Sequence, residues 1–189
     1  MTGWGEAGPP DEAYGRVTDA ARFAPLQPYA RELIDDLRRR YAVRVETAEE
    51  LDPNGLGPVP VVRLVPADPA ASPLSVTFTE FPGLLLRMGV EDRVVLPMCG
   101  CDACAETVQE CVDELRRRVD ALTAGAYGER LARRDHNWWY QVWYGTDLGE
   151  HNSQQTVSGE RLASLRAALP AGDVRWAPWP VRSAAATEN

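Results

Sequence analysis

The spacing of apolar residues changes at Tyr41, and that change decides which folds are open to this chain. Before it, Leu26, Tyr29, Ala30, Leu33, Ile34, Leu37 and Tyr41 recur at intervals of three and four. That is one apolar stripe of a helix over about 26–40. A shorter helical turn is expected after Pro9-Pro10, with Asp11 and Glu12 in its first turn. After Tyr41 the pattern becomes a succession of short β-type segments. Residues 41–45 and 59–65 are β-branched-rich and are parted by Asp52-Pro53-Asn54-Gly55, a turn signal. Leu74, Val76 and Phe78 alternate with polar residues, as in a half-buried strand. Residues 84–88 and 93–96 read as two more strands joined by a tight turn near Gly89. A second helix carries Val108, Val112, Leu115, Val119 and Leu122 and ends at Gly125. An aromatic strand follows at 138–145. A third helix is capped by Ser158, with Leu162, Leu165 and Leu169 inside, and 174–176 is a last short strand. The expected fold class is α+β, an antiparallel sheet of about five to seven strands with helices packed mainly on one face.

A chain of 189 residues can bury about 70% of its unfolded surface and needs neither disulfide nor metal to form a core. It is expected to be a single domain over 1–189, with loose tails at about 1–10 and 183–189. The composition, 44% apolar and 25% charged, excludes collagen, coiled coil and wholesale disorder. The longest apolar stretch, around Leu84, Leu85 and Leu86, falls far short of the roughly 20 residues that span a bilayer. The first 13 residues carry no basic region and no apolar run, so no signal peptide is expected and the cytoplasm is the default location. Cysteines there stay reduced, so a tight cluster points to metal binding or catalysis before a disulfide framework.

All 20 basic residues are arginine. Without lysine there is no Schiff base, no phosphate-loop lysine and no pyridoxal attachment. The net charge of −8 opposes nucleic-acid binding, which draws most of its affinity from neutralised phosphates. The two arginine triplets, Arg38 to Arg40 and Arg116 to Arg118, each follow carboxylates by one turn: Asp35 and Asp36, then Asp113 and Glu114. That is the favoured order for ion pairs on a solvated helix face. The same charge would speed association with a basic protein partner.

Three of the four cysteines fall in Cys99-Gly100-Cys101-Asp102-Ala103-Cys104. A turn at Gly100 would bring Cys99 beside Cys101, and glycine permits it without steric cost. Cys101 and Cys104 have the C-x-x-C spacing that lets two thiolates hold one zinc. The segment is expected at a helix start near Asp102, itself a plausible cap, where the helix dipole favours thiolate. Cys111 fits the apolar stripe of that helix. Seven residues would carry it about 10 Å along the axis from Cys104, too far for a shared zinc. Candidate fourth ligands are His136, His151, Asp102 or a carboxylate brought in by folding. Four readings stay open: zinc, a redox dithiol or disulfide at Cys101 and Cys104, a nucleophile, or packing alone.

The second unusual feature is Trp138-Trp139-Tyr140-Gln141-Val142-Trp143-Tyr144. On a strand, Trp139, Gln141 and Trp143 share one face and Trp138, Tyr140, Val142 and Tyr144 the other. Trp139, Gln141 and Trp143 form a candidate binding surface able to stack a sugar, a base or a partner's side chain, unless Trp176 and Trp179 cover it. Asp135-His136 reads as a solvated loop pair. No glycine-rich phosphate loop, nucleophile elbow or H-E-x-x-H is present.

The run Phe81-Pro82-Gly83-Leu84-Leu85-Leu86-Arg87 leading to Cys99-Gly100-Cys101-Asp102-Ala103-Cys104, with the late Trp176-Ala177-Pro178-Trp179-Pro180, resembles the family known as domain of unknown function 6226, from GC-rich bacteria. That family brings no assigned activity, so the resemblance supplies no catalytic residues. It implies that the cysteine segment is a family feature. The expectation is therefore a soluble, acidic, non-catalytic protein with a structural zinc site at Cys99, Cys101 and Cys104. Its alternatives are an acidic neutralising partner and a thiol-disulfide redox protein.

Overall fold

The computed structural model describes residues 8–146 and 149–183. Most of the two expected tails lies outside those residues. The fold is α+β, as the change of apolar period implies, but among the described residues the strands number nine and divide between two antiparallel sheets of five and four.

Helix α1 (Leu26–Arg40) buries Leu26, Ala30, Ile34 and Leu37 of the expected stripe. The chain leaves it at Tyr41 in extended conformation. Strands β1 (Val43–Leu51), β2 (Pro58–Pro66), β3 (Leu74–Phe78), β4 (Leu84–Met88) and β5 (Asp92–Leu96) then form a meander in chain order. Leu64, Leu74, Val76, Phe78, Leu84, Leu86 and Leu96 are buried together against the helices. On the reverse face Arg87 pairs with Glu50 at 2.6 Å, and both bond the Thr77 hydroxyl. That arrangement shields Thr77, which is fully buried.

Helix α2 (Val108–Thr123) buries Cys111, Leu115, Val119 and Leu122 and packs against α1 and the second sheet. That sheet comprises β6 (Tyr127–Arg134), β7 (Asn137–Thr146), β8 (Gly149–Val157) and β9 (Asp173–Arg175), in the order β8-β7-β6-β9. Helix α3 (Gly159–Ala168) connects β8 to β9 and buries Leu165, with Leu169 just beyond its end. Asp135 and His136 are the turn of the β6–β7 hairpin, with φ of 47° and 69°. Positive φ at both central residues matches the right-handed twist of the flanking strands.

Both sheets and all three helices contribute to one continuous buried cluster. Its polar centre is Glu129 of β6, fully buried. Glu129 accepts hydrogen bonds from the Val90 and Glu91 N–H groups, the Tyr140 hydroxyl and the Trp176 indole. Trp179 is buried too and donates to the Ser72 carbonyl at 2.9 Å. Trp176 and Trp179 thus lie on the core side of the second sheet. They do not cover the face carrying Trp139 and Trp143, which corrects the sequence expectation.

Candidate metal centre

The cysteine loop leaves β5 at Leu96 and does not enter a helix at Asp102. Helix α2 starts at Val108, with Thr107 as its cap. Thr107 and Glu110 form a reciprocal capping box, each side chain bonding the other's backbone N–H. This threonine and glutamate three residues on was the true start signal. Residues 97–107 are therefore an irregular loop, and the three clustered thiols are not in the first turn of a helix.

The loop is held from three sides. The Glu106 carboxylate accepts the N–H of Met98 and of Cys99, each at 3.0 Å. The Arg22 guanidinium donates to the carbonyls of Gly100 and Cys101 at 3.0 and 3.2 Å. The segment before α1 supplies the third side. Asp102 N–H donates to the Arg16 carbonyl (2.7 Å) and Ala103 N–H to the Ala13 carbonyl (3.1 Å). The Asp102 carboxylate accepts the Thr18 N–H and hydroxyl at 2.9 and 3.0 Å, and pairs with Arg16 at 2.9 Å. These bonds, the Thr18 N–H first, hold its pKa below the usual value. Ala13, Cys101 and Ala103 form a small apolar cluster of their own, flanked by Cys99 and Cys104. Gly100 packs so closely on the Phe81 ring that a side chain there would overlap it.

This folding brings the sulfurs of Cys99, Cys101 and Cys104 within 4.8 Å of one another. Cys99 and Cys101 are 3.3 Å apart, as a turn at Gly100 requires. Cys101, only 6% exposed, has its thiol pKa lowered to about 6. The Cys99 thiol donating to it is the largest cause, followed by the N–H groups of Cys104 and Gly15. Cys104 is pushed up to about 12, chiefly by its hydrogen bonds to the other two thiols. Three adjacent soft sulfur donors, one of them predisposed to ionise, could hold a metal ion.

Cys111 stays apart, but not for the reason of a continuous helix from Cys104. It is buried in α2, with its sulfur 3.3 Å from the Glu106 carboxylate. Burial first, then Glu106, pushes its thiol up to about 12. Among the described residues the metal-competent group contains the three cysteines alone. His136 is in the β6–β7 turn. His151 is on β8, its ring stacked on Tyr144 at 4.9 Å. Asp102 is engaged by Thr18 and Arg16. The sequence reading did not find Glu106 or Arg22. Their roles arise from contacts 7 and 78 residues along the chain, which leave no local pattern.

Trp139, Gln141 and Trp143 do share the outer face of the second sheet. Gln141 is 7% exposed and bonds Gln154 and Arg134. The Trp143 ring packs against Gly128, with the Arg130 guanidinium 5.7 Å from its centroid. The arginine triplets are mostly spent on helix-surface pairs. Asp35 and Asp36 take Arg38, Arg39 and Arg40. Glu114, without help from Asp113, takes both Arg117 and Arg118. No described helix is long and apolar enough to cross a membrane.

No curated protein and no solved structure matches this chain. One family pattern does, over residues 2–183, and it contains the F-P-G strand, the whole cysteine loop and the Trp-Ala-Pro-Trp-Pro run. The chain belongs to the family of unknown function DUF6226.

Proposed function

We propose that Cys99, Cys101 and Cys104 bind one zinc ion and that its role is structural. Zinc would pin the loop between β5 and α2 to the segment of residues 13–22, in a chain that is itself non-catalytic. The convergence of three sulfurs within 4.8 Å carries this reading. Tetrahedral zinc holds thiolates at about 2.3 Å, hence less than about 4 Å from one another, so a small closing movement suffices. Three side chains leave one tetrahedral position, which a structural site closes with a further donor from outside this group rather than with water. Local order supports the reading, because Glu106 and Arg22 already fix the loop backbone. The free energy of binding would add to that of folding.

The 3.3 Å separation of the Cys99 and Cys101 sulfurs favours one other reading, a redox dithiol at that pair in place of the Cys101 and Cys104 pair that the C-x-x-C spacing suggested. Two thiols would give up two electrons and two protons to an external disulfide and form their own.

Metal content and thiol titration on protein purified without chelator or affinity-tag metal separate the two. The expected result is about one zinc per chain, with three thiols protected until the metal is withdrawn. No metal and four freely titrating thiols would remove the structural-site reading. Two missing thiols restored by reductant would establish the redox one.

A further inference from the structure

The first sheet ends at β5, and among the described residues no strand pairs with its outer edge. An open edge offers backbone N–H and C=O groups to another chain, and proteins ordinarily blunt it with charge, proline or a cover. β5 carries the exposed Arg93 and runs into Pro97, yet it also exposes apolar side chains, Val95 at 51% and, just beyond the strand, Met98 at 87%. A groove of about 600 Å³ runs between it and α2. Val94, Val95 and Met98 line one wall, and Glu106, Glu110 and Asp113 the other. Two contacts close its ends: Arg118 to Asp92 at 3.1 Å and Glu106 to the Met98 N–H at 3.0 Å. Arg117 and Arg118 are committed to Glu114 and Asp92. Glu106, Glu110 and Asp113 accept hydrogen bonds from the Met98 and Cys99 N–H, from Thr107 and from Gln109, but none of the three is in an ion pair among the described residues.

We propose that this groove binds an extended, basic segment of a partner protein, which adds a strand to β5. About five residues fit between the closing contacts at roughly 3.3 Å per residue. Alternate aliphatic side chains rest on Val95 and Met98, and arginine or lysine faces the acidic row. Backbone pairing supplies affinity and the two walls supply specificity. A second copy of this chain is the poorer occupant, because edge-to-edge pairing would bring two acidic rows together in molecules that each carry −8. A nucleic acid is opposed by the same charge. The groove contains no cysteine side chain but shares Glu106 and Met98 with the cysteine loop, so its test is placed on Val95 and Asp113, whose side chains make no hydrogen bond to that loop's backbone among the described residues.

The test is selection of nine-residue peptides from a displayed random library against the whole protein, followed by affinity measurement on one enriched synthetic peptide. Enriched peptides are expected to alternate arginine or lysine with aliphatic residues. Binding is expected to weaken at least about tenfold in Asp113→Arg and in Val95→Lys, and to weaken with salt. Both positions are exposed, so the melting temperatures of the variants, measured alongside, should stay near that of the parent. Failure to enrich any sequence, enrichment of acidic peptides, or binding indifferent to both substitutions would overturn the proposal. So would a dimer in sedimentation that Val95→Lys dissolves, because the edge would then serve self-association.

Discussion

The Glu129 carboxylate on β6 fills the space that any side chain at Gly89, in the turn between β4 and β5, would have to occupy. Both carboxylate oxygens lie 2.9 Å from the Val90 nitrogen, and one also accepts the Glu91 N–H at 3.3 Å. A single residue of the second sheet thus holds a turn of the first. Gly89→Ala would push the carboxylate off these donors and place a side chain at φ +59°. A loss of about 2 kcal/mol or more is expected, read as a lower urea midpoint at unchanged slope. An unchanged midpoint would show that Glu129 can swing aside without penalty.

Burial is the largest influence on Glu129 and raises its pKa above the ordinary 4.5, although its hydrogen bonds pull the other way. In the window between 4.5 and that raised value the folded state therefore binds more protons than the unfolded state. The contribution is full below the unfolded pKa and is lost as pH rises through the folded one. Glu129→Gln does not titrate. The stability advantage of the parent over this variant should accordingly shrink as pH rises from about 4.5 towards neutrality. A difference that grows with pH would mean that the donors, not burial, dominate.

In metal-free protein, thiolate absorbance at 240 nm should report one group with a midpoint at about 6, assigned to Cys101. Cys99→Ser should move that midpoint upward, since the Cys99 thiol is the largest cause of the lowering and a hydroxyl is a different donor. Cys111→Ser should leave it in place, because that thiol sits against Glu106 and stays protonated up to about 12. A first midpoint above 8 in the parent would remove the assignment.

Glu106 touches none of the three clustered sulfurs but fixes the backbone at Met98 and Cys99. Glu106→Ala is expected to lower zinc affinity by about 10- to 100-fold, in line with supporting residues around other metal sites, at unchanged stoichiometry. Competition with a chromophoric chelator measures both. Glu106→Gln, which can still accept one N–H, should recover part of the loss. An unaltered affinity in Glu106→Ala would mean that the thiols assemble without it.

Helices α1 and α2 and strand β3 were legible because their apolar residues recur at the period of the element. Leu26 to Leu37 and Leu74 to Phe78 write their burial into the spacing of apolar residues. Strand β8 was not legible. From Glu150 to Thr156 it has no aliphatic residue, because it is an edge strand exposed along most of its length. β6 was missed as well, since its central inward residue is the charged Glu129. The cysteine cluster was visible as a pattern, yet the helix cap beside it was misplaced by five residues. Asp102 looked like a cap, whereas Thr107 with Glu110 is one. Whether a carboxylate caps its own chain or grips another depends on the residues that arrive opposite it. For Asp102 those are Arg16 and Thr18, 86 and 84 positions away.

That distance also orders events during synthesis. Residues 13–22 emerge from the ribosome long before Gly100, Asp102 and Ala103 have been made. They contain no strand and only a few residues of 3₁₀ helix, so little beyond the Asp19 cap on Arg22 holds them locally while they wait. The contact around the thiols therefore closes a loop of more than 80 residues, at the entropic cost of any long-range closure. Reagents that compete for this segment before it docks would act only on the nascent chain, and would have no target once the loop had shut.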